Sequence, residues 1–489
     1  MQDYSHLLKI EVPDTLPAHH AHIIIYYPEN QTKDTLFAFL HEQYHLQLQP
    51  LTTEEELPSL TLFINEQWVN VYFIPISFKG NVYFNLKSKT AASIKKIKSA
   101  AIHLDLTFIP SDHLPAIQAI LTGIYLGKYE NQSYKGENRP AQFCEISFSH
   151  HSLQTDLLKE YLTQAQILAT TSLAVCDLVN GPANIITPDY MVEAIRHLCS
   201  STTVKVNVLT QKELEAQGFH ALLAVGQGSE HNVYFVTLEY QPNSTFPTIG
   251  LAGKGVTFDT GGISIKDAQN LHYMKTDMAG AAAVLGAVVL AAKTHLPINI
   301  IAALPICENS VSAQAFKPGD IIKSYSGKTI EIINTDAEGR LILADALSFL
   351  VSNYKVDYLV DLATLTGACV RALGYHAAGV FTNNDDLAQA LDTAGKISGE
   401  LLWRLPLWDQ YKNSLDSALA DVKNLEDVPV AGAISAAKFL EYFTNQHLCY
   451  AHLDIAGVAF KNVDWSKEKS ATAFGVNLLW HWFNQIKSK

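Results

Sequence analysis

Residues 249–304 read IGLAGKGVTFDTGGISIKDAQNLHYMKTDMAGAAAVLGAVVLAAKTHLPINIIAAL. An apolar run of strand length, Ile249–Lys254, leads to a helix-length segment, Ala279–Lys293. A second apolar run follows at Ile298–Leu304. The same alternation holds from about residue 185 onward. Strand-length runs recur at 204–209, 233–239, 329–333, 358–362 and 378–382, and a helix-length segment lies at 341–353. Continuously apolar strands between helices predict an α/β fold with a mostly parallel or mixed sheet covered on both faces. Ligands in such folds sit beyond the carboxyl ends of the strands.

The first 150 residues have a different texture. Runs rich in β-branched and aromatic residues, at 22–27, 60–65 and 69–74, predict strands. Segments 91–103 and 115–126 read as helices. The polar stretch 128–140 reads as a surface loop. A long helical pattern over 153–178 stops at Asn180-Gly181-Pro182. The expected organisation is a smaller α/β N-terminal domain (1–150), a linking helix (151–180) and a larger α/β domain (181–489).

The 489 residues are 48% hydrophobic and 17% charged, which suits a large core and excludes a disordered chain. A net charge of −13 argues against nonspecific nucleic-acid binding by the whole surface. Lys95, Lys96 and Lys98 form the one dense basic cluster and read as a solvated helix face. The longest uninterrupted run of apolar residues and glycine, Ala279–Ala292, falls short of the roughly 20 residues that cross a bilayer. No membrane association is expected. The N-terminus lacks a basic start followed by an apolar stretch, so no secretory signal is read. Six widely spaced cysteines without a CxxC pair read as reduced thiols in a cytoplasmic protein.

The chemistry concentrates between Gly250 and Leu341. Asp259 follows the Ile249–Lys254 run in a glycine-rich loop, and Asp277 precedes the Ala/Gly-rich helix. Asp336, Glu338 and Arg340 follow the 329–333 run at i, i+2, i+4 spacing. In an extended segment that spacing sends all three to one side. Carboxylates gathered at strand ends repel one another unless cations intervene, and four suffice for two divalent ions. Such a pair of ions, about 3.5–4 Å apart, activates water and polarises carbonyls. A separate pattern, His41-Glu42-Gln43-Tyr44-His45, matches the HExxH of zinc peptidases. It has no third ligand motif nearby and reads as a solvated stretch, as do His19, His20 and His22.

These residues resemble the leucine aminopeptidase (cytosol aminopeptidase) family of two-metal exopeptidases. The octapeptide NTDAEGRL at 334–341 matches throughout. GKGVTFDTGGISIK (253–266), MKTDMAGAA (274–282), CENSVSAQAFKPGD (307–320), DLATLTGA (361–368) and AHLDIAG (451–457) look like further family motifs. The likeness covers about 180–485; the N-terminal domain, variable in the family, carries no motif. The resemblance implies metal ligation by Lys254, Asp259, Asp277, Asp336 and Glu338, with two Mn²⁺ or Zn²⁺ ions per subunit. It implies catalytic roles for Lys266 and for Arg340, the latter holding bicarbonate. It implies a pocket for the N-terminal side chain lined by Met274, Asn334, Thr364, Gly367, Ala456 and Ala459. The implied substrates are peptides with a free N-terminus, cleaved with a broad, leucine-like preference. The implied assembly is a homohexamer. Two departures stand out: Ser310 where the family more often has Met, and Val175-Cys176-Asp177 for Ala-Arg-Asp.

Overall fold

The structure is a computed structural model. It describes residues 155–486 continuously, and before them 4, 8–13, 22–28, 38–39, 42, 59–64, 67–77, 80–97, 101–110, 114–130, 134 and 144–150. His19, His20, His41, His45 and Lys98 lie outside the described residues. The chain divides into two compact units, Gln2–Leu173 with Val463–Lys467, and Ala174–Asn462 with Glu468–Lys489. The division falls inside one helix, Thr155–Asn180.

The first unit holds a six-stranded sheet, whose strands run spatially from Leu8–Glu11 through Cys144–Ser149, Ala101–Asp105, His22–Pro28 and Gln67–Ile76 to Ser59–Ile64. One expectation fails here. Segment 91–103 is not one helix: 91–96 end a helix and 101–103 belong to a strand. The helix is Val82–Lys96, started by Asn81, whose side chain accepts the N–H of Phe84 at 3.0 Å. Residues 101–105 form a strand between two parallel neighbours. An apolar run this short carries no period that separates helix from strand, and the β-branched Ile102 inside a sheet decides it. Lys95 and Lys96 are exposed, as expected of a solvated face.

The second unit is built on a nine-stranded mixed sheet. Its centre is four parallel strands, Tyr450–Asp454, Tyr358–Ala363, Thr248–Gly253 and Asn299–Asn309. Antiparallel strands flank it, Ala378–Thr382 on one side and Tyr234–Tyr240 on the other. Side chains alternate across a strand, so successive residues of Thr248–Gly253 feed opposite layers. Ala252 packs in a cluster with Leu341, Leu343 and Leu347 of helix Gly339–Asn353. Gly253 faces helix Ala279–Lys293, where an added Cβ would lie 2.7 Å from the Ala281 Cα. Helix Ala279–Lys293 is buried on every side as far as Ala292. With the preceding turn it makes a 23-residue segment apolar enough to cross a membrane by composition, yet its window is 89% buried and it serves as a core helix.

Three strands of this sheet are not among the apolar runs read from the sequence: Gly255–Asp259, Tyr450–Asp454 and Leu402–Arg404, the last pairing with Ala378–Thr382. Gly255–Asp259 continues the Thr248–Gly253 strand after a step at Lys254 and pairs with the end of Asn299–Asn309. Tyr450–Asp454 was noted only as a motif. Conversely, Thr329–Glu331 leaves the main sheet and joins a small three-stranded one. Five of the six cysteines are buried.

Candidate metal centre

Strand register puts the site along one edge. Leu362 pairs with Gly253 and Ala363 with Asp454, so Lys254, Thr364 and Ile455 emerge together at the carboxyl ends of three parallel strands. Lys254 occupies the step between two strands. Its N–H donates to the Leu362 carbonyl at 3.0 Å, and its own carbonyl accepts from the Ala281 N–H at 2.8 Å. A backbone fixed on both sides aims the side chain inward, where it is 3% exposed.

The charged side chains form two trios. Lys254 Nζ lies 2.8 Å from Asp277 Oδ2 and 2.8 Å from Glu338 Oε1. Lys266 Nζ lies 2.7 Å from Asp259 Oδ2 and also contacts Asp336 Oδ1. Asp259, Asp336 and Glu338 each offer one oxygen within 4.8 Å of the others. Arg340 opens helix Gly339–Asn353 beside them, and its Nε and Nη1 are buried without a hydrogen-bond partner. The structure therefore brings together all seven charged residues singled out in the sequence.

The reason given for three of them needs correcting. Asp336, Glu338 and Arg340 are not on an extended strand. Asp336 sits in a turn whose N–H is accepted by Asn334 Oδ1 at 2.7 Å, and Glu338 is already helical (φ −81°, ψ −37°). They converge because the chain tightens into a helix start, not because side chains alternate.

Four carboxylates face two ammonium groups, which leaves two negative charges in excess before Arg340 is counted. The strain appears in the titration of the acids. Burial, then repulsion by Glu338 and Asp259, pushes Asp336 up to about 7. Burial with the Glu338 charge raises Asp259, and burial raises Asp277 well above the usual carboxylate range. Glu338 goes the other way, because Lys254 and Lys266 overcome its burial. Burial likewise opposes the charge on Lys254 and Lys266, but the surrounding carboxylates outweigh it and keep both ammonium. Glu338 Oε2 is buried with no hydrogen-bond partner among the described residues. An excess of buried oxygen donors with an unsatisfied lone pair is the donor set that hard or borderline divalent cations require, so the residues present fit the implied metals.

Glycine makes the close approach possible. A Cβ on Gly339 would lie 2.6 Å from Lys254 Nζ. One on Gly262, already at φ +65°, would lie 2.9 Å from Asn309 Oδ1 and from Thr335 Oγ1.

The six residues expected to line a pocket lie on or beside the elements that build this edge. Thr364 donates its hydroxyl to Asp277 Oδ1 at 2.8 Å and offers its carbonyl to Lys254 Nζ at 3.1 Å. Asn334 holds Asp336. Met274 lies in the short helix Leu271–Thr276 that delivers Asp277, and Gly367 begins helix Gly367–Leu373. Ala456 and Ala459 follow the strand Tyr450–Asp454. Two supports escaped sequence reasoning. Asn309 is fully buried and donates to Asp259 Oδ1 at 2.8 Å and to the Thr335 carbonyl at 3.1 Å. Asn424 accepts the N–H of Ile333 at 2.8 Å and donates to the Asn334 carbonyl at 2.7 Å. Asn309, at the end of an apolar strand beside the acidic motif, could have been suspected. Asn424 lies 90 residues from Asn334 and carries no local signal. The departure Ser310 bonds Glu308 Oε1 at 2.6 Å, outside the ionic trios. A cavity of about 1070 Å³, lined by Thr382, Arg404, Trp408 and Lys438 among others, holds none of the predicted site residues. Its Lys438 is already paired with Asp409 and Glu441.

Comparison with known proteins gives the family. Residues 174–480 match the catalytic domain of the cytosol aminopeptidase family. The chain is 42% identical over 371 residues to a probable cytosol aminopeptidase of Chlorobium limicola, covering 74% of this chain and 73% of that one. It is 39% identical over 398 residues to one from Rickettsia canadensis, covering 81% and 79%. Among solved structures, the cytosol aminopeptidase of Coxiella burnetii superposes with a TM-score of 0.82 at 27% identity, over 98% of this chain and 99% of that one. The bottromycin maturation enzyme BotP in complex with Mn gives a TM-score of 0.83 at 28% identity, over 96% and 99%. The chain belongs to the cytosol aminopeptidase family and is a metal-dependent aminopeptidase, a hydrolase of the leucyl aminopeptidase type.

Proposed function

We propose that the chain removes N-terminal residues from peptides with a broad, leucine-like preference, using two divalent ions, Mn²⁺ or Zn²⁺, held by Lys254, Asp259, Asp277, Asp336 and Glu338. The observation that carries this reading is the cluster of four carboxylates, in excess over two lysines, at the carboxyl edge of the sheet. Bound there, a pair of divalent ions lowers the pKa of water and polarises a scissile carbonyl. Lys254 can join the ligand set only as the neutral amine, so its carboxylate partners must exchange its proton for metal charge. Lys266 brings a fixed positive charge to the position where negative charge builds on the carbonyl oxygen. Arg340, with two buried N–H groups lacking partners, is suited to hold a small anion such as bicarbonate. That anion would accept the proton released during attack. Met274, Asn334, Thr364, Gly367, Ala456 and Ala459 would form the side-chain pocket. An apolar pocket separates aliphatic side chains by only about 1–3 kcal/mol per methylene, hence the breadth.

A substrate panel tests this reading. Leucine, methionine and alanine amides should all be cleaved, leucine among the best, while N-acetyl-leucine amide should resist because its amine is blocked. Cleavage of blocked and free substrates alike would refute an exopeptidase. His41→Ala should leave activity unchanged. Its loss would point instead to the HExxH stretch.

We further propose assembly as a homohexamer acting in the cytoplasm. The low charge fraction and the exposed Trp403, Trp408, Leu419 and Leu448 support an assembly. Light scattering should then give six times the 53.9 kDa chain mass. A monomer mass would refute it.

A further inference from the structure

Asp454 ends the strand Tyr450–Asp454 and is fully buried. Among the described residues it has no ion-pair partner, although an unpaired buried carboxylate is costly. Its donors explain its presence. Oδ1 accepts the N–H of Ala456 at 3.1 Å and of Leu365 at 3.3 Å, and Oδ2 accepts the Thr366 hydroxyl at 2.7 Å. Thr366 Oγ1 in turn accepts the Cys369 N–H at 3.0 Å, capping helix Gly367–Leu373. One side chain thus clamps the turn by which the chain leaves strand Tyr358–Ala363.

That turn begins with Thr364, which contacts Lys254 through its carbonyl and Asp277 through its hydroxyl. Two of the five proposed ligands, Lys254 and Asp277, are thus hydrogen-bonded to this turn. Asp277 stands at the end of a short helix, and its side chain depends on outside partners for its direction. Residues that orient metal ligands in this way influence metal affinity without touching the ion.

We propose that Asp454 is a positioning residue for the metal centre: through Thr366 and the Leu365 N–H it sets the turn at 364–366 so that Thr364 aligns Lys254 and Asp277. This inference rests on the ligand set proposed above.

The test is Mn²⁺ binding by calorimetry on the full chain stripped of metal, with thermal unfolding recorded in parallel. Asp454→Ala and Thr366→Val should each weaken Mn²⁺ binding by about tenfold or more. Thr366→Ser, which keeps the hydroxyl, should bind as the unaltered chain does. Asp454→Asn keeps an acceptor for the two N–H groups and should lose less than Asp454→Ala. A merely structural role would lower the unfolding temperature and leave Mn²⁺ affinity intact. If Asp454→Ala fails to fold, Thr366→Val decides. A folded Thr366→Val that binds Mn²⁺ as tightly as the unaltered chain overturns the proposal. An unaltered chain that binds no Mn²⁺ overturns the ligand set itself.

Discussion

Lys266→Ala is expected to leave a folded protein whose kcat toward leucine amides falls by about 10²–10³, the usual cost of removing one group that stabilises developing oxyanion charge. KM should change little, because the ammonium meets charge that exists only in the transition state. The structure adds a second expectation. Lys266 Nζ pairs with Asp259 and Asp336, and the Lys266 side chain is only 23% exposed. Removing it leaves two carboxylates without their counter-charge, so the metal-free variant should unfold at a lower temperature. Mn²⁺ should then restore more stability to the variant than it adds to the unaltered chain, because the ion supplies the missing charge. Asp336→Asn should show the reverse pattern. It loses activity to a similar extent, but it removes a like charge crowded by Glu338 and Asp259 and so should not destabilise the metal-free chain. Activity near that of the unaltered chain in both variants would refute the assignment of these two residues. Steady-state kinetics and calorimetry on the same preparations separate the cases.

Gly339→Ala is the second large effect. An added Cβ would meet Lys254 Cε at 2.5 Å and Nζ at 2.6 Å. A flexible lysine would normally swing aside. This one is 3% exposed and is held by Asp277, Glu338 and the Thr364 carbonyl, so it has nowhere to go. Alanine in a helix gains about 0.5–1 kcal/mol over glycine, whereas overpacking a filled core costs typically 1–3 kcal/mol. The clash therefore wins, and the variant should be less stable as well as nearly inactive. Unfolding temperature and activity measured together check both parts. An active, unperturbed Gly339→Ala would mean that Lys254 is not fixed where it stands.

The architecture is largely legible because the central strands of the second unit are buried on both faces and read as unbroken apolar runs. Helix Ala279–Lys293 begins and ends where its composition says it should. The N-terminal segment 91–103 resists assignment because its seven apolar residues fit either period. What decides it is pairing with strands far away in sequence, Ile102 with Ile146 and His103 with Ile23. The same limit applies to the site. The charged residues lie in motifs and could be gathered from the chain, but their i, i+2, i+4 spacing does not alternate across a strand, because Glu338 caps a helix with α-region backbone angles. The groups that orient them, Asn309, Asn424 and Asp454, act across gaps of 50 to 90 residues. Amide and carboxylate side chains in such roles look like any other polar residue until the strands are paired.

The central claim is that the acidic cluster is a metal centre that hydrolyses the bond after a free N-terminal residue. Leucine p-nitroanilide assayed with the EDTA-treated full-length protein, before and after adding Mn²⁺, tests it most directly. The account predicts negligible release of p-nitroaniline after EDTA and its recovery with Mn²⁺. Absence of hydrolysis with Mn²⁺, Zn²⁺ and other divalent ions, across a panel of N-terminal residues, would contradict it.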